Sequence, residues 1–162
     1  MSLKRSRVSQ SPLFTENTGP LRLLSLDPGE TTGASFITFD KSYVRVENVT
    51  QIKGGRTGFI EWVKWNTKKP IDHIVCEDFI LRPGIHGANI EPAYVIGAME
   101  ALFSNREITL QDAGMKKLVG DDRLRKMEMF SNGLPHANDA TRHGIIYLRN
   151  KKHMPTLLKG WE

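Results

Sequence analysis

At 162 residues, with 39% hydrophobic and 25% charged positions, the chain suits one domain with a real core and excludes wholesale disorder. A single cysteine, Cys76, excludes an intramolecular disulfide scaffold, and no apolar run approaches the length of about eighteen that a membrane span needs. Lys and Arg number 23 against 18 acidic residues, a net charge of +5 that leans towards a polyanionic partner.

Residues 1–19 are rich in Ser and basic side chains and lack any helical or strand period, so a flexible N-terminal arm is expected ahead of one domain over 20–162. An Arg- and Ser-rich start also resembles an organelle transit segment, although the apolar face such a segment needs is weak here. From Leu21 the pattern sharpens. LRLLSLD is an apolar run ending at Asp27, PGETTG is a turn, and GASFITFD and YVRVENVT are rich in β-branched and aromatic residues. A three-strand meander follows, with a turn at Asp40–Ser42. In TGFIEWVKWNTKK, residues Phe59, Ile60, Trp62 and Val63 recur at helical spacing until Pro70 stops the helix.

IDHIVCEDFI reads as a strand covered on both faces, and LRPGIHGANIEP as a loop. The next helix has Val95, Ala98, Met99 and Leu102 along one face, and EITLQD is a short strand. AGMKKLVGDDRLRKMEMFSNGLP is helical only in patches. The last helix carries a stripe of mostly small residues, Ala137, Ala140, Thr141, Gly144, Ile145 and Leu148, which suits close packing on a sheet. The order implies an α/β domain: a mixed five-stranded sheet, three antiparallel strands then parallel ones, with helices on both faces.

Three acids stand at element ends. Asp27 closes the first strand, Glu77 the fourth, and Asp139 lies near the start of the last helix. One such acid is usually a strand end that has reached water; three on a common rim suit hard cations such as Mg²⁺ or Mn²⁺. Glu77 is preferred to Asp78 because it shares a face with Val75 and His73. His136 precedes Asp139 by three residues, on the same helix side, as a metal ligand or proton carrier. His143, a turn later, reads as capping or solvated. Cys76 and His73 lack a second Cys/His pair for zinc, so Cys76 is expected to be a small buried residue.

GGRTG at 54–58 lacks the Lys-Ser/Thr ending of a phosphate-binding loop and reads as a turn into a helix. LDPGETTG has the Asp-x-Gly-x-Thr shape of actin-like ATPases, but those close two large lobes over the nucleotide and this chain is too short. Lys116, Lys117, Arg123, Arg125 and Lys126 cluster before the last helix, interleaved with Asp121, Asp122 and Glu128. Such a rim would suit a phosphodiester substrate.

Taken together, LSLDPGETTGASFI, IVCEDF, PAYVIGAMEAL, MKKLVG and HANDATRHGIIYL resemble, in order and spacing, the motifs of the RuvC family of Holliday junction resolvases. The RHGIIYL ending is similar to phage-encoded members. The resemblance implies a ribonuclease H-like fold and a homodimer in a bacterial or phage-infected cytoplasm. It also implies cleavage of four-way DNA junctions with two divalent metals, leaving 5′-phosphate and 3′-hydroxyl ends. Asp27, Glu77, His136 and Asp139 take the catalytic and metal positions. Lys116 and Lys117 fall in the DNA-contacting basic segment, and Phe79 near the aromatic of the junction-opening loop. Cutting of flaps, forks or RNA–DNA hybrids, or branched-DNA binding without cleavage, are the alternatives.

Overall fold

LRLLSLD forms strand β1 (Leu21–Asp27), whose leucines Leu23, Leu24 and Leu26 are fully buried because both sheet faces are covered. The computed structural model describes residues 12–15, 19–84 and 86–162. β2 (Thr31–Phe39) and β3 (Val44–Lys53) complete the meander. Their turn is closed by the Asp40 carboxylate, which accepts from the Ser42 and Tyr43 amides. Helix α1 (Gly55–Asn66) begins after Gly54, whose φ of 90° is a left-handed conformation that glycine adopts freely. β4 (His73–Glu77), α2 (Glu91–Leu102) and β5 (Ile108–Gln111) follow. A 3₁₀ turn over Ala113–Leu118, α3 (Asp121–Lys126), α4 (Pro135–Asn150) and α5 (Met154–Trp161) complete the chain.

The sheet order is β3-β2-β1-β4-β5. β3, β2 and β1 are antiparallel, and β1, β4 and β5 are parallel, as expected. Side-chain alternation divides the core into two layers. Leu24, Leu26, Phe36, Ile74 and Cys76 pack with Phe59 and Val63 of α1 and Val95 and Met99 of α2. Leu23, Ile37, Phe39 and Val75 face the other way, onto Ile145 and Leu148 of α4 and Leu124 of α3. The small residues of α4 let its backbone approach the sheet. A Cβ on Gly144 would meet Ile37 Cδ1 at 2.5 Å and the Ser25 Cβ at 3.2 Å.

One sequence expectation changes, and one helix goes beyond the sequence reading. Leu102 is 42% exposed rather than inward, because α2 ends there and buried Phe103 takes the inward position. α5 was not expected: eight residues with a proline and a glycine carry too short a period to read. Gly160 lets α5 sit against Met127, where an added Cβ would stand 3.0 Å from the sulfur. The expected arm lies largely outside the described residues, but Leu13 and Phe14 pack against the α4-side core, Phe14 edge-on to Phe39.

Candidate active site

Alternation along β1 carries Leu23, Ser25 and Asp27 to the α4 side: Leu23 joins that core layer and the Ser25 hydroxyl donates to the Ala140 carbonyl. On β4, His73, Val75 and Glu77 take the same side, with the Tyr147 hydroxyl 3.2 Å from His73 Nδ1. Because β1 and β4 are parallel and paired through Leu26↔Cys76, the two acids leave the sheet side by side. α4 starts over the same rim. Its first turn lies against β2 so closely that a Cβ on Gly33 would stand 1.9 Å from the His136 carbonyl oxygen. The His136 amide is held by Gln51 Oε1 at 2.9 Å.

Asp27, Glu77, His136 and Asp139 are therefore brought together. His136 Nδ1 lies 3.0 Å from Asp27 Oδ2. The ammonium of Lys116, supplied by the 3₁₀ turn, lies 2.9 Å from Asp139 Oδ2, 3.0 Å from Glu77 Oε2 and 3.9 Å from Asp27 Oδ1. Three carboxylates from β1, β4 and α4 thus share one cation. Among the described residues, no three His, Cys, Asp or Glu side chains form a group poised to hold a metal ion. The carboxylates nevertheless form a hard-oxygen donor set around a positive charge, which fits Mg²⁺ or Mn²⁺ in chemistry.

The charges respond to this crowding. Burial raises the Asp27 carboxyl above its ordinary range; the His136 hydrogen bond opposes this, and the neighbouring Glu77 adds to it. Burial would raise Glu77 too, but hydrogen bonds from His143 and Lys116 outweigh it and hold Glu77 below the usual carboxylate range. Burial would lower the Lys116 ammonium, yet its bonds to Asp139 and Glu77 push it well above its ordinary value. Lys116 is thus a charged member of the acid cluster and not a residue of the outer rim.

Lys117 is exposed, as Lys126 is. Arg123 donates to the Leu118 carbonyl at 2.7 Å and lies over Trp161 at 4.5 Å, and Arg125 lies 3.6 Å over Phe130. Phe79 is half-buried against the α1/α2 core layer, leaving Ile80 and Leu81 of that loop exposed. Cys76 is fully buried, as expected.

His143 corrects the sequence reading. It neither caps nor is solvated: its ring is fully buried, with Nε2 2.9 Å from Glu77 Oε2 and Nδ1 2.8 Å from Gln111 Oε1. A histidine near a helix end ordinarily caps it or meets water, whereas most of α4 is buried nearly all round. Arg142 was also missed. Its guanidinium donates to Asp139, to Asp121 and, at 2.8 Å, to the Val119 carbonyl, tying the acid to the segment before α3. Asp121 thereby belongs to the site's outer ring.

No protein-family model matches the sequence, and no curated protein matches it. Solved structures do. Thermus thermophilus RuvC is similar with a TM-score of 0.57 at 11% identity, over 82% of this chain and 98% of that one. Fowlpox virus resolvase, solved with Holliday junction DNA, gives a TM-score of 0.59 at 11% identity, over 79% and 99%. The RuvC complex with a Holliday junction gives 0.53 at 11% identity, over 80% and 96%. The chain has the ribonuclease H-like fold of these resolvases.

Proposed function

We propose that the protein is a metal-dependent endonuclease that hydrolyses phosphodiesters in branched DNA, four-way junctions foremost, to 5′-phosphate and 3′-hydroxyl ends. The observation that carries this reading is the convergence of Asp27, Glu77 and Asp139, from three elements, on one positive charge. The likeness to RuvC and to Fowlpox virus resolvase, both solved with Holliday junctions, supports it. Asp27, Glu77, Asp139 and His136 would hold Mg²⁺ or Mn²⁺, two ions per site. Such ions supply a nucleophilic water and stabilise the charge that develops on the leaving 3′ oxygen. Around them, His136 holds or moves a proton at Asp27 Oδ2, and Lys116 and Arg142 fix Asp139. Labelled four-way junction, flap, duplex and RNA–DNA hybrid, each with Mg²⁺ or with EDTA, test the reading. Junction cleavage only with Mg²⁺ is expected; cleavage unaffected by EDTA, or none on any substrate, rejects it.

A homodimer belongs to the same proposal. The outer side of α2 and its lead-in carries Ile90, Ala93, Tyr94, Gly97 and Ala101, all exposed and uncharged. Gly97 costs a helix about 1 kcal/mol relative to Ala, yet among the described residues nothing beyond its chain neighbours and its own helix backbone lies within 4 Å of the Cβ it lacks. Close approach of a second α2 would account for that glycine. Gly97→Arg should convert a dimer to a monomer in light scattering without lowering the melting temperature; a dimer that persists puts the interface elsewhere.

The outer basic residues would follow the DNA backbone. Adjacent residues of a 3₁₀ turn diverge by about 120°, which sends Lys116 inward and Lys117 outward. Lys117→Ala should therefore flatten the log–log salt dependence of junction binding by about one unit per protomer. An unchanged slope would assign the phosphate contacts to Arg125 and Lys126 instead.

A further inference from the structure

Gln111 and Glu77 are register partners at the ends of β5 and β4, and His143 of α4 stands between their side chains. From this arrangement we infer that His143 and Gln111 are positioning residues that hold the Glu77 carboxylate in its working orientation. The inference rests on the nuclease reading above and names two residues which that reading does not require.

A buried imidazole and a buried carboxamide are costly unless hydrogen-bonded, and aliphatic side chains pack α4 on the sheet elsewhere without that cost. Ile145 and Leu148 do so within about a turn and a half. At this point the layer is polar, as it is where Thr141 meets Ser35, but here it carries a buried imidazole and carboxamide: His143 is 0% and Gln111 5% exposed. Their chain of contacts runs from Gln111 Oε1 through His143 Nδ1 and Nε2 to Glu77 Oε2, at 2.8 and 2.9 Å.

The role of Glu77 in this chain does not depend on how the amide is turned. If Gln111 presents its NH₂ to Nδ1, the neutral ring donates from Nε2 to Glu77. If Gln111 presents its oxygen, both ring nitrogens donate. In either case Glu77 accepts. Lys116 donates to the same oxygen, Oε2, at 3.0 Å, so two donors, one from the 3₁₀ turn and one from α4, fix one carboxylate oxygen. Neither bond is made to Oε1. Carboxylates that ligate metals are commonly held by such outer hydrogen bonds, and losing one typically costs about 10–100-fold in metal affinity or activity.

The test uses the full chain with His143→Leu, His143→Gln and Gln111→Leu. Mn²⁺ alone is titrated by calorimetry, junction affinity is measured in EDTA, and kcat and KM are measured in Mg²⁺. His143→Leu should weaken Mn²⁺ binding and lower kcat by about 10–100-fold each, with KM and EDTA-state junction affinity unchanged. Gln at 143 offers an amide N–H to Oε2 and should recover most of the loss. Gln111→Leu should lose less than His143→Leu, because the Nε2 contact to Glu77 survives. Should His143→Leu fail to fold, the His143→Gln and Gln111→Leu pair carries the same comparison. A folded His143→Leu with wild-type Mn²⁺ affinity and kcat overturns the inference, as does His143→Gln no better than His143→Leu. Wild-type protein that neither binds Mn²⁺ nor cleaves DNA overturns the nuclease reading and the inference with it.

Discussion

Asp27→Asn should reduce junction cleavage by about 10³-fold or more while leaving the protein folded and able to bind the junction. Asp27 sits at the end of β1 between His136 and the Lys116 ammonium, so an amide keeps the shape and removes the charge on which the site is centred. Stability should move the other way. Burial raises the Asp27 carboxyl above its ordinary range, which means the charged form is disfavoured in the folded state. Such a raised group adds stability below its unfolded value and loses it as pH climbs through the folded one. Near neutral pH, then, the neutral amide should melt no lower than wild type, and higher if burial dominates. Parallel melting, gel-shift and cleavage measurements check this. Wild-type cleavage by Asp27→Asn would remove the acid cluster from the mechanism altogether.

Gly33→Ala should be the most damaging single methyl group in the domain. The added Cβ would sit 1.9 Å from the His136 carbonyl oxygen and 2.2 Å from its carbon. Both are backbone atoms at the start of α4, so no side chain can swing aside. β2 and α4 must part. The cost should be about 3 kcal/mol or more, a fall of about 10 °C in melting temperature for a domain of this size. Activity should fall further than stability, because the same shift draws His136 away from Asp27. Gly58→Ala offers a comparison, since its Cβ would meet the Lys53 carbonyl oxygen at 1.9 Å, beside Ile52 of the α1/α2 core layer. If both variants lost activity only in proportion to unfolding, Gly33 would have no special part in placing His136.

Much of this architecture is legible in the sequence because one physical rule, alternation in strands, decides both core and site. LRLLSLD and HIVCE are short apolar runs whose last residue is acidic, and parity alone puts Asp27 with Leu23 and Glu77 with Val75. The small stripe of α4 likewise announces the helix that lies nearest the sheet. What stayed hidden had no period to betray it. Lys116 lies in a six-residue 3₁₀ turn, where a sequence shows two adjacent lysines and no inward side. Gln111 is one polar residue at the end of a four-residue strand, and only the β4–β5 register sets it beside Glu77. His143 sits where α4 is buried nearly all round, which a single apolar stripe in the sequence does not announce. α5 escaped notice since its anchoring contacts, Trp161 with Arg123 and Arg149, join residues distant in the chain.

The Lys116 ammonium bears on how the acid cluster holds its shape. Many small metal sites are collections of like charges that spring apart when the ion leaves, so that chelation and unfolding are one event. Here the counter-charge is part of the chain: it already touches all three carboxylates, and Arg142 holds Asp139 from the other side. The acid cluster therefore keeps its shape with no ion present. On the nuclease proposal, an arriving ion would require only that a side chain on a four-carbon tether share its place, a rearrangement far smaller than refolding. Dormancy and activity would then be two electrostatic states of one architecture, reversible by dialysis.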